Sequence, residues 1–189
     1  MFKKNGYQKI NQLIPEPLAL FLGDYAKIRE RDRSSNQKGY VDGDAQAPGA
    51  YSCYGDLAMD HLMIHLRDKV CEITGIEVVP SYTFFRNYIK GNDLKKHKDR
   101  PSCEISLTMN LSQTHPWAIH MENSEEIFLN PGDAVIYRGC DLEHWREEFD
   151  GESHVQVFAH YVDKNGPYVE HYMDKRGDYY RLARNYGLI

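Results

Sequence analysis

From Ile76 to Asp163 apolar and polar residues alternate with a period of two, in short runs broken by Gly, Pro and Asn. The alternation predicts strands at about 77–90, 103–112, 117–121, 126–129, 133–138 and 154–163. Upstream the period is helical. Leu18, Phe21, Leu22 and Tyr25 share one face of a helix from Leu18 to Arg31, with Pro15 and Pro17 at its start. Met59, Leu62, Met63, Leu66, Val70 and Ile73 recur at offsets of three and four, between a capping Asp56 and a terminating Gly75. The stretch from Arg31 to Gly55 is rich in Ser, Gly, Asp, Gln and Pro, and reads as a long surface loop, with a lid over a site, a disordered segment and plain decoration as the alternatives. From Lys164 to Ile189 the chain is rich in Tyr and charge, and predicts a helix or arm packed on the sheet.

Many short strands in one stretch imply two antiparallel sheets closed on each other. The expected fold is mainly β with flanking α-helices, around a double-stranded β-helix (a jelly roll of the cupin kind). At 189 residues the chain fits one domain: residues 1–75 as helical support and loop, 76–163 as the jelly-roll core, 164–189 as a C-terminal arm.

Composition narrows the function classes. Asp and Glu number 28 against 23 Lys and Arg, for a net charge of −5, and no long basic run occurs, so a nucleic-acid partner is not expected. The short basic stretch from Lys95 to Arg100 reads as a solvated loop. No apolar run approaches the roughly 20 residues that span a bilayer, and Met1 to Tyr7 lacks the apolar core of a signal peptide. The expectation is a cytoplasmic protein with no membrane partner, monomer or dimer. Cys53, Cys71, Cys103 and Cys140 form no Cys-x-x-Cys pair, which argues for reduced, mostly buried thiols and against a zinc knuckle.

Candidate chemistry concentrates in His97-Lys98-Asp99 and in Leu142-Glu143-His144-Trp145. Two residues separated by one on an extended strand point the same way, so one strand end could offer His97 and Asp99 together. His144 follows Pro131-Gly132-Asp133 and the apolar run Ala134 to Tyr137, a tight turn leading into a strand. Two imidazoles and one carboxylate occupy three positions of a metal and leave others open, the arrangement of non-haem Fe(II) oxygenases. His61 and His65, four apart, lack the intervening Glu of a zinc protease helix. His115, His120, His160 and His171 read as ordinary core or surface histidines.

These residues come in a recognisable order. Pro80 to Tyr88 runs into Gly91-Asn92-Asp93-Leu94, then His97 to Ser106, Pro131-Gly132-Asp133, His144-Trp145 and Val155 to Tyr161. The order resembles the catalytic domain of the Fe(II)/2-oxoglutarate-dependent oxygenases, prolyl-hydroxylase-like group, over residues 76–163, and the helix from Asp56 to Gly75 resembles bacterial and phage members. The resemblance implies Fe(II) held by His97, Asp99 and His144, with 2-oxoglutarate and O2 as cosubstrates. It implies a dioxygenase that hydroxylates an unactivated carbon of a peptide, protein or small molecule, with a peptidyl proline as the first substrate to consider.

The chain also departs from the family pattern, which places Arg or Lys about nine residues beyond the distal His to hold the far carboxylate of 2-oxoglutarate. That position falls at His154, which is at most a partial cation near neutral pH. Arg86 offers a full charge and shares a strand face with Tyr82, Phe84 and Tyr88, Tyr88 matching a position beside the cosubstrate; an ion pair of Arg86 with Glu104 is the competing use. Ser106, Thr108 and Asn110 share the parity that would add hydrogen bonds to the cosubstrate, Arg100 points outward toward substrate, and Trp117, Tyr137 and Trp145 either wall the pocket or fill core. The missing cation leaves a second reading open, a jelly-roll binding or sensor protein that holds metal without turnover.

Overall fold

The computed structural model describes residues 2–31, 40–43, 45–122, 124 and 126–187, and for 40–42 the backbone alone. The chain begins with a helical turn, α1 (Phe2–Asn5), and strand β1 (Tyr7–Ile10), followed by helix α2 (Glu16–Arg31). Strands β2 (Tyr40–Asp42) and β3 (Tyr51–Tyr54) precede helix α3 (Leu57–Thr74). Then come β4 (Val78–Tyr88), β5 (Leu94–His97), β6 (Ile105–Gln113), β7 (His120–Met121), β8 (Ala134–Arg138), β9 (His144–Arg146), β10 (His154–Asp163) and helix α4 (Gly177–Asn185).

The helix signals act as the sequence predicts. Asp56 caps α3 by accepting from the amides of Ala58 at 2.9 Å and Met59 at 3.3 Å, and Gly75, at φ 69°, ends it by donating to Cys71 O at 2.8 Å.

All strand pairs are antiparallel. The large sheet runs β1-β8-β6-β10-β4-β3-β2 and the small one β5-β9-β7. On one face of the large sheet Phe85, Leu107, Met109, Leu111, Val155, Val157 and Ala159 are buried in a core that also takes in Leu22, Ala26, Met59, Met63 and Val70 of α2 and α3. Each fully buried aliphatic side chain contributes about 1.5–3 kcal/mol, so this face fixes which residues point the other way. α2 sits close enough that a Cβ on Gly23 would meet Ser112 Oγ at 2.8 Å. Pro80, unable to donate to the ladder, lies where the β4–β10 register shifts between His160 and Tyr161.

The opposite parity, Tyr82, Phe84, Arg86 and Tyr88 on β4 with Gln156, Phe158 and His160 on β10, faces the interior between the sheets. Two antiparallel sheets closed in this way, with helices on the outer face, form the expected jelly roll.

Three expectations need correction. Residues 1–75 are not only helix and loop: β1 pairs with β8, and β3 pairs with β4 to extend the large sheet, β2 lying beyond it. The expected loop at 31–55 therefore ends in a strand, although residues 32–39 and 44 lie outside the described ones. Residues 126–129 form no strand, only an isolated bridge from Ile127 to Ile119. The C-terminal arm does dock: Arg176 Nε donates to the buried carboxylate of Asp60 at 2.6 Å, and Met173 N to Pro80 O at 2.9 Å. Among the described residues no helix is long and apolar enough to cross a membrane.

Candidate metal centre and its pocket

Pairing of β5 with β9 sets His97 directly opposite His144, with ring centroids 4.3 Å apart. Asp99 lies two residues past His97, beyond the strand end rather than on it, fixed by its amide donating to Gly139 O at 2.8 Å. Its Oδ1 stands 3.7 Å from His97 Nε2 and 3.6 Å from His144 Nε2. The ligand atoms of these three residues all lie within 4.8 Å of one another.

Each imidazole is oriented from behind. His97 Nδ1 lies 2.7 Å from Lys95 O and His144 Nδ1 3.2 Å from Leu142 O. A carbonyl only accepts, so each Nδ1 carries the proton and each Nε2 lone pair faces Asp99. Burial lowers the pKa of His144 against the opposing pull of Asp99, which favours the neutral imidazole that ligates metal. The second carboxylate oxygen, Oδ2, accepts from Ser106 Oγ at 2.9 Å. This donor set fits a divalent iron: two neutral imidazoles and one carboxylate on one side, with the remaining directions open to a pocket.

Asp99 also lies near Cys103 and His160, which form a second grouping of possible ligand atoms. Its chemistry is poorer. Burial pushes the Cys103 thiol up to about 11, and His160 Nδ1 is taken by Ser106 Oγ at 2.9 Å. His61 and His65 contact each other on α3, Nε2 to Nε2 at 3.0 Å, with no third ligand gathered among the described residues.

A pocket of about 400 Å³ opens beside these three residues, within the range of small-molecule sites. Tyr54, Tyr82, Phe84 and Phe158 supply aromatic wall, and Arg86, Tyr88, Tyr137, Lys98 and Arg100 also line it. Arg86 donates from Nε to Ser52 Oγ at 2.9 Å, and its guanidinium lies over the rings of Phe84 and Tyr88. Glu104 Oε2 accepts from the amide of Asp163 at 2.8 Å. Arg100 lies 3.3 Å from the carboxylate of Asp174 and over the ring of Tyr82, tying the C-terminal arm to the pocket rim.

Other expected cosubstrate residues do not line the pocket. Thr108 Oγ1 accepts from Gln156 Nε2 at 2.6 Å, and Asn110 Nδ2 donates to Leu129 O at 2.7 Å. His154 is wholly buried against Trp117 and Phe149, its Nε2 2.8 Å from Gln156 Oε1; burial first, then the charge of Arg146, pushes its pKa down to about 3. It is thus a neutral ring, not the cation its position suggested. Ser106 donates to the Asp99 carboxylate instead of reaching into the pocket. Tyr137 stands beside His144, its hydroxyl 3.4 Å from Nε2, while Trp145 turns outward to stack on His120.

Sequence reasoning passed over Arg146. Two residues after His144 on β9, it shares that histidine's side of the strand, by the same parity that aligns Arg86 with Tyr88. The residue is 2% exposed, and burial pushes its pKa down to about 10 while the nearby Tyr88 and Tyr137 phenols work the other way.

No family model and no curated protein matches the sequence. Solved structures do. A prolyl-4-hydroxylase of Pseudomonas putida aligns at 15% identity and a TM-score of 0.65, over 86% of this chain and 95% of its own. The viral collagen prolyl hydroxylase of Paramecium Bursaria Chlorella virus-1, solved as a 2OG complex, aligns at 11% identity and 0.63, over 84% and 97%. EctD from S. alaskensis, solved with bound Fe, aligns at 16% and 0.68, over 86% and 74%. At these identities the likeness shows a shared fold.

Proposed function

We propose that this chain is an Fe(II)- and 2-oxoglutarate-dependent dioxygenase that hydroxylates an unactivated carbon. The observation that carries the reading is the convergence of His97 Nε2, His144 Nε2 and Asp99 Oδ1 at the wall of an open pocket, both Nδ1 atoms already committed to backbone carbonyls. Structural neighbours with this fold, two prolyl hydroxylases, one of them solved as a 2OG complex, and an oxidoreductase of the 2OG-Fe(II) oxygenase family from Burkholderia pseudomallei, support it. When bound, iron with 2-oxoglutarate and O2 supplies the oxidation of a substrate C–H bond, with succinate and carbon dioxide as coproducts.

The chain's own residues orient and shield. His97, Asp99 and His144 would hold the metal; Ser106 fixes the rotamer of Asp99; Tyr137 and Tyr88 close the wall beside these residues. Aromatic rings of the lining, among them the stacked pair Tyr54 and Tyr82 at 4.5 Å, exclude water and offer flat apolar surface. A peptidyl prolyl residue suits such walls and is the first substrate to test, supported by a neighbour described as a prolyl hydroxylase bound to a peptide fragment. We treat the whole chain as one oxygenase domain and place it in the cytoplasm, a reading supported by four free cysteines.

The test is uncoupled turnover. Purified protein with Fe(II), 2-oxoglutarate and air is expected to form succinate slowly without substrate, faster with proline-containing peptides, and not at all as His97→Ala or Asp99→Ala. Stoichiometric metal with no succinate under any substrate would instead support the non-catalytic metal-binding reading.

A further inference from the structure

Among the described residues Arg146 is the largest fully buried side chain. Its Nη1 donates to Trp117 O at 2.8 Å and its guanidinium carbon lies 4.6 Å from the Trp117 ring centre, but Nε and Nη2 have no hydrogen-bond partner. Among the described residues no carboxylate pairs with it. A buried cation without a counter-charge is costly, so a partner from outside the chain is the physical expectation.

The orphaned atoms have a pattern. Nε and Nη2 form one edge of the guanidinium, two parallel N–H groups that match a carboxylate. Two more orphans gather around the same tryptophan: the hydroxyl of Tyr88, whose ring lies 4.9 Å from Trp117, and Nδ1 of His154, whose ring lies 5.3 Å away. Tyr88 also lines the pocket that holds the metal ligands. By strand geometry, the backbones of Arg146 and His144 are separated by about 7 Å.

We propose that Arg146, assisted by the Tyr88 hydroxyl, holds the distal carboxylate of a 2-oxo dicarboxylate whose other end meets the metal. The anchoring cation then comes from the strand of the second histidine ligand, not from β10, where His154 stands, nor from Arg86 on β4. This inference rests on the function proposed above. It also explains how His154 can be neutral without loss of the cosubstrate: the charge has moved across the barrel to the neighbouring side chain.

Two ligands separate the site from the metal: 2-oxoglutarate and 2-oxobutyrate, which keeps the 2-oxo acid but lacks the far carboxylate. Affinities are read anaerobically on the Fe(II)-loaded protein. Arg146→Met is expected to weaken 2-oxoglutarate by about 100-fold, the scale of losing one partner of a buried charge pair, while Fe(II) affinity and 2-oxobutyrate binding stay within about twofold. The ligand-free variant should be as stable as the wild type or more so, because an unpaired buried cation has been removed; a purely structural arginine predicts a loss. If Arg146→Met fails to fold, Arg146→Lys keeps the charge without the fork and is expected to lose about tenfold. Unchanged 2-oxoglutarate affinity in the variant, or a loss confined to Arg86→Met, overturns this assignment alone. A wild-type protein that binds iron but neither oxo acid overturns the proposed function together with it.

Discussion

Removing the Ser106 hydroxyl tests whether Asp99 is held as a metal ligand. Ser106 Oγ lies 2.9 Å from Asp99 Oδ2, 3.0 Å from Cys103 O and 2.9 Å from His160 Nδ1. A hydroxyl has one proton. The carboxylate of Asp99 is a stronger acceptor for it than the neutral carbonyl of Cys103, and with the hydroxyl proton so placed the neutral His160 ring, pushed by burial down to about 4, donates from Nδ1–H to Ser106 Oγ. A hydrogen bond to a charged acceptor contributes about 1.5–3 kcal/mol, and 1.4 kcal/mol corresponds to about tenfold. Ser106→Ala is therefore expected to weaken metal binding by about 10- to 100-fold, matching the usual effect of losing a group that orients a ligand. Isothermal titration with Co(II), set against thermal unfolding of the metal-free variant, separates the cases. Stability should also fall by about 1–3 kcal/mol, because His160 Nδ1–H loses its acceptor. Lower stability with Co(II) affinity within about twofold of the wild type would refute the orienting role.

Other consequences follow from the same geometry. A Cβ on Gly139 would fall on Cys103 O and on the Asp99 carboxylate, so Gly139→Ala should abolish tight Co(II) binding while largely preserving the far-ultraviolet spectrum; retained affinity would contradict the placement of Asp99. Asp56 caps α3 and also accepts from Tyr25 Oη at 2.7 Å, so Asp56→Ala should cost about 2–4 kcal/mol in urea unfolding, from a lost cap and an unpaired hydroxyl. Burial holds His154 and His160 down to about 3 and about 4 in the folded state. Unfolded imidazoles titrate near pH 6.5, so acidification below that value protonates only the unfolded chain. Metal-free stability should then be full above about pH 6.5 and fall as pH drops toward the folded values, by up to about 2.7 kcal/mol per pH unit for two rings. A urea midpoint that is flat from about pH 7 to about pH 5 would contradict neutral buried imidazoles.

The parts legible in the sequence were those governed by local periodicity. The strands from β4 onward with long alternation, and the helix between Asp56 and Gly75, follow from burial on one face and from caps. Short elements were illegible because their order comes from partners far away: β9 has only three residues and exists through pairing with β5 and β7, and β3 is a strand because β4 offers it an edge. The grouping of His97, Asp99 and His144 was legible as spacing and order. The role of Ser106 was not, since it depends on where the turn after His97 places Asp99. Arg146 was within reach of the parity rule, but its significance lies in burial without a partner, which no periodicity reports.

The most direct test of the central claim is anaerobic titration of the metal-free protein with Fe(II) and then 2-oxoglutarate, following the visible charge-transfer absorption of a 2-oxo acid chelated to iron. The account predicts a saturable band at one equivalent of iron, absent in His144→Ala and in Asp99→Ala. Bound iron with no band at any 2-oxoglutarate concentration, or a band that survives in either variant, would contradict it.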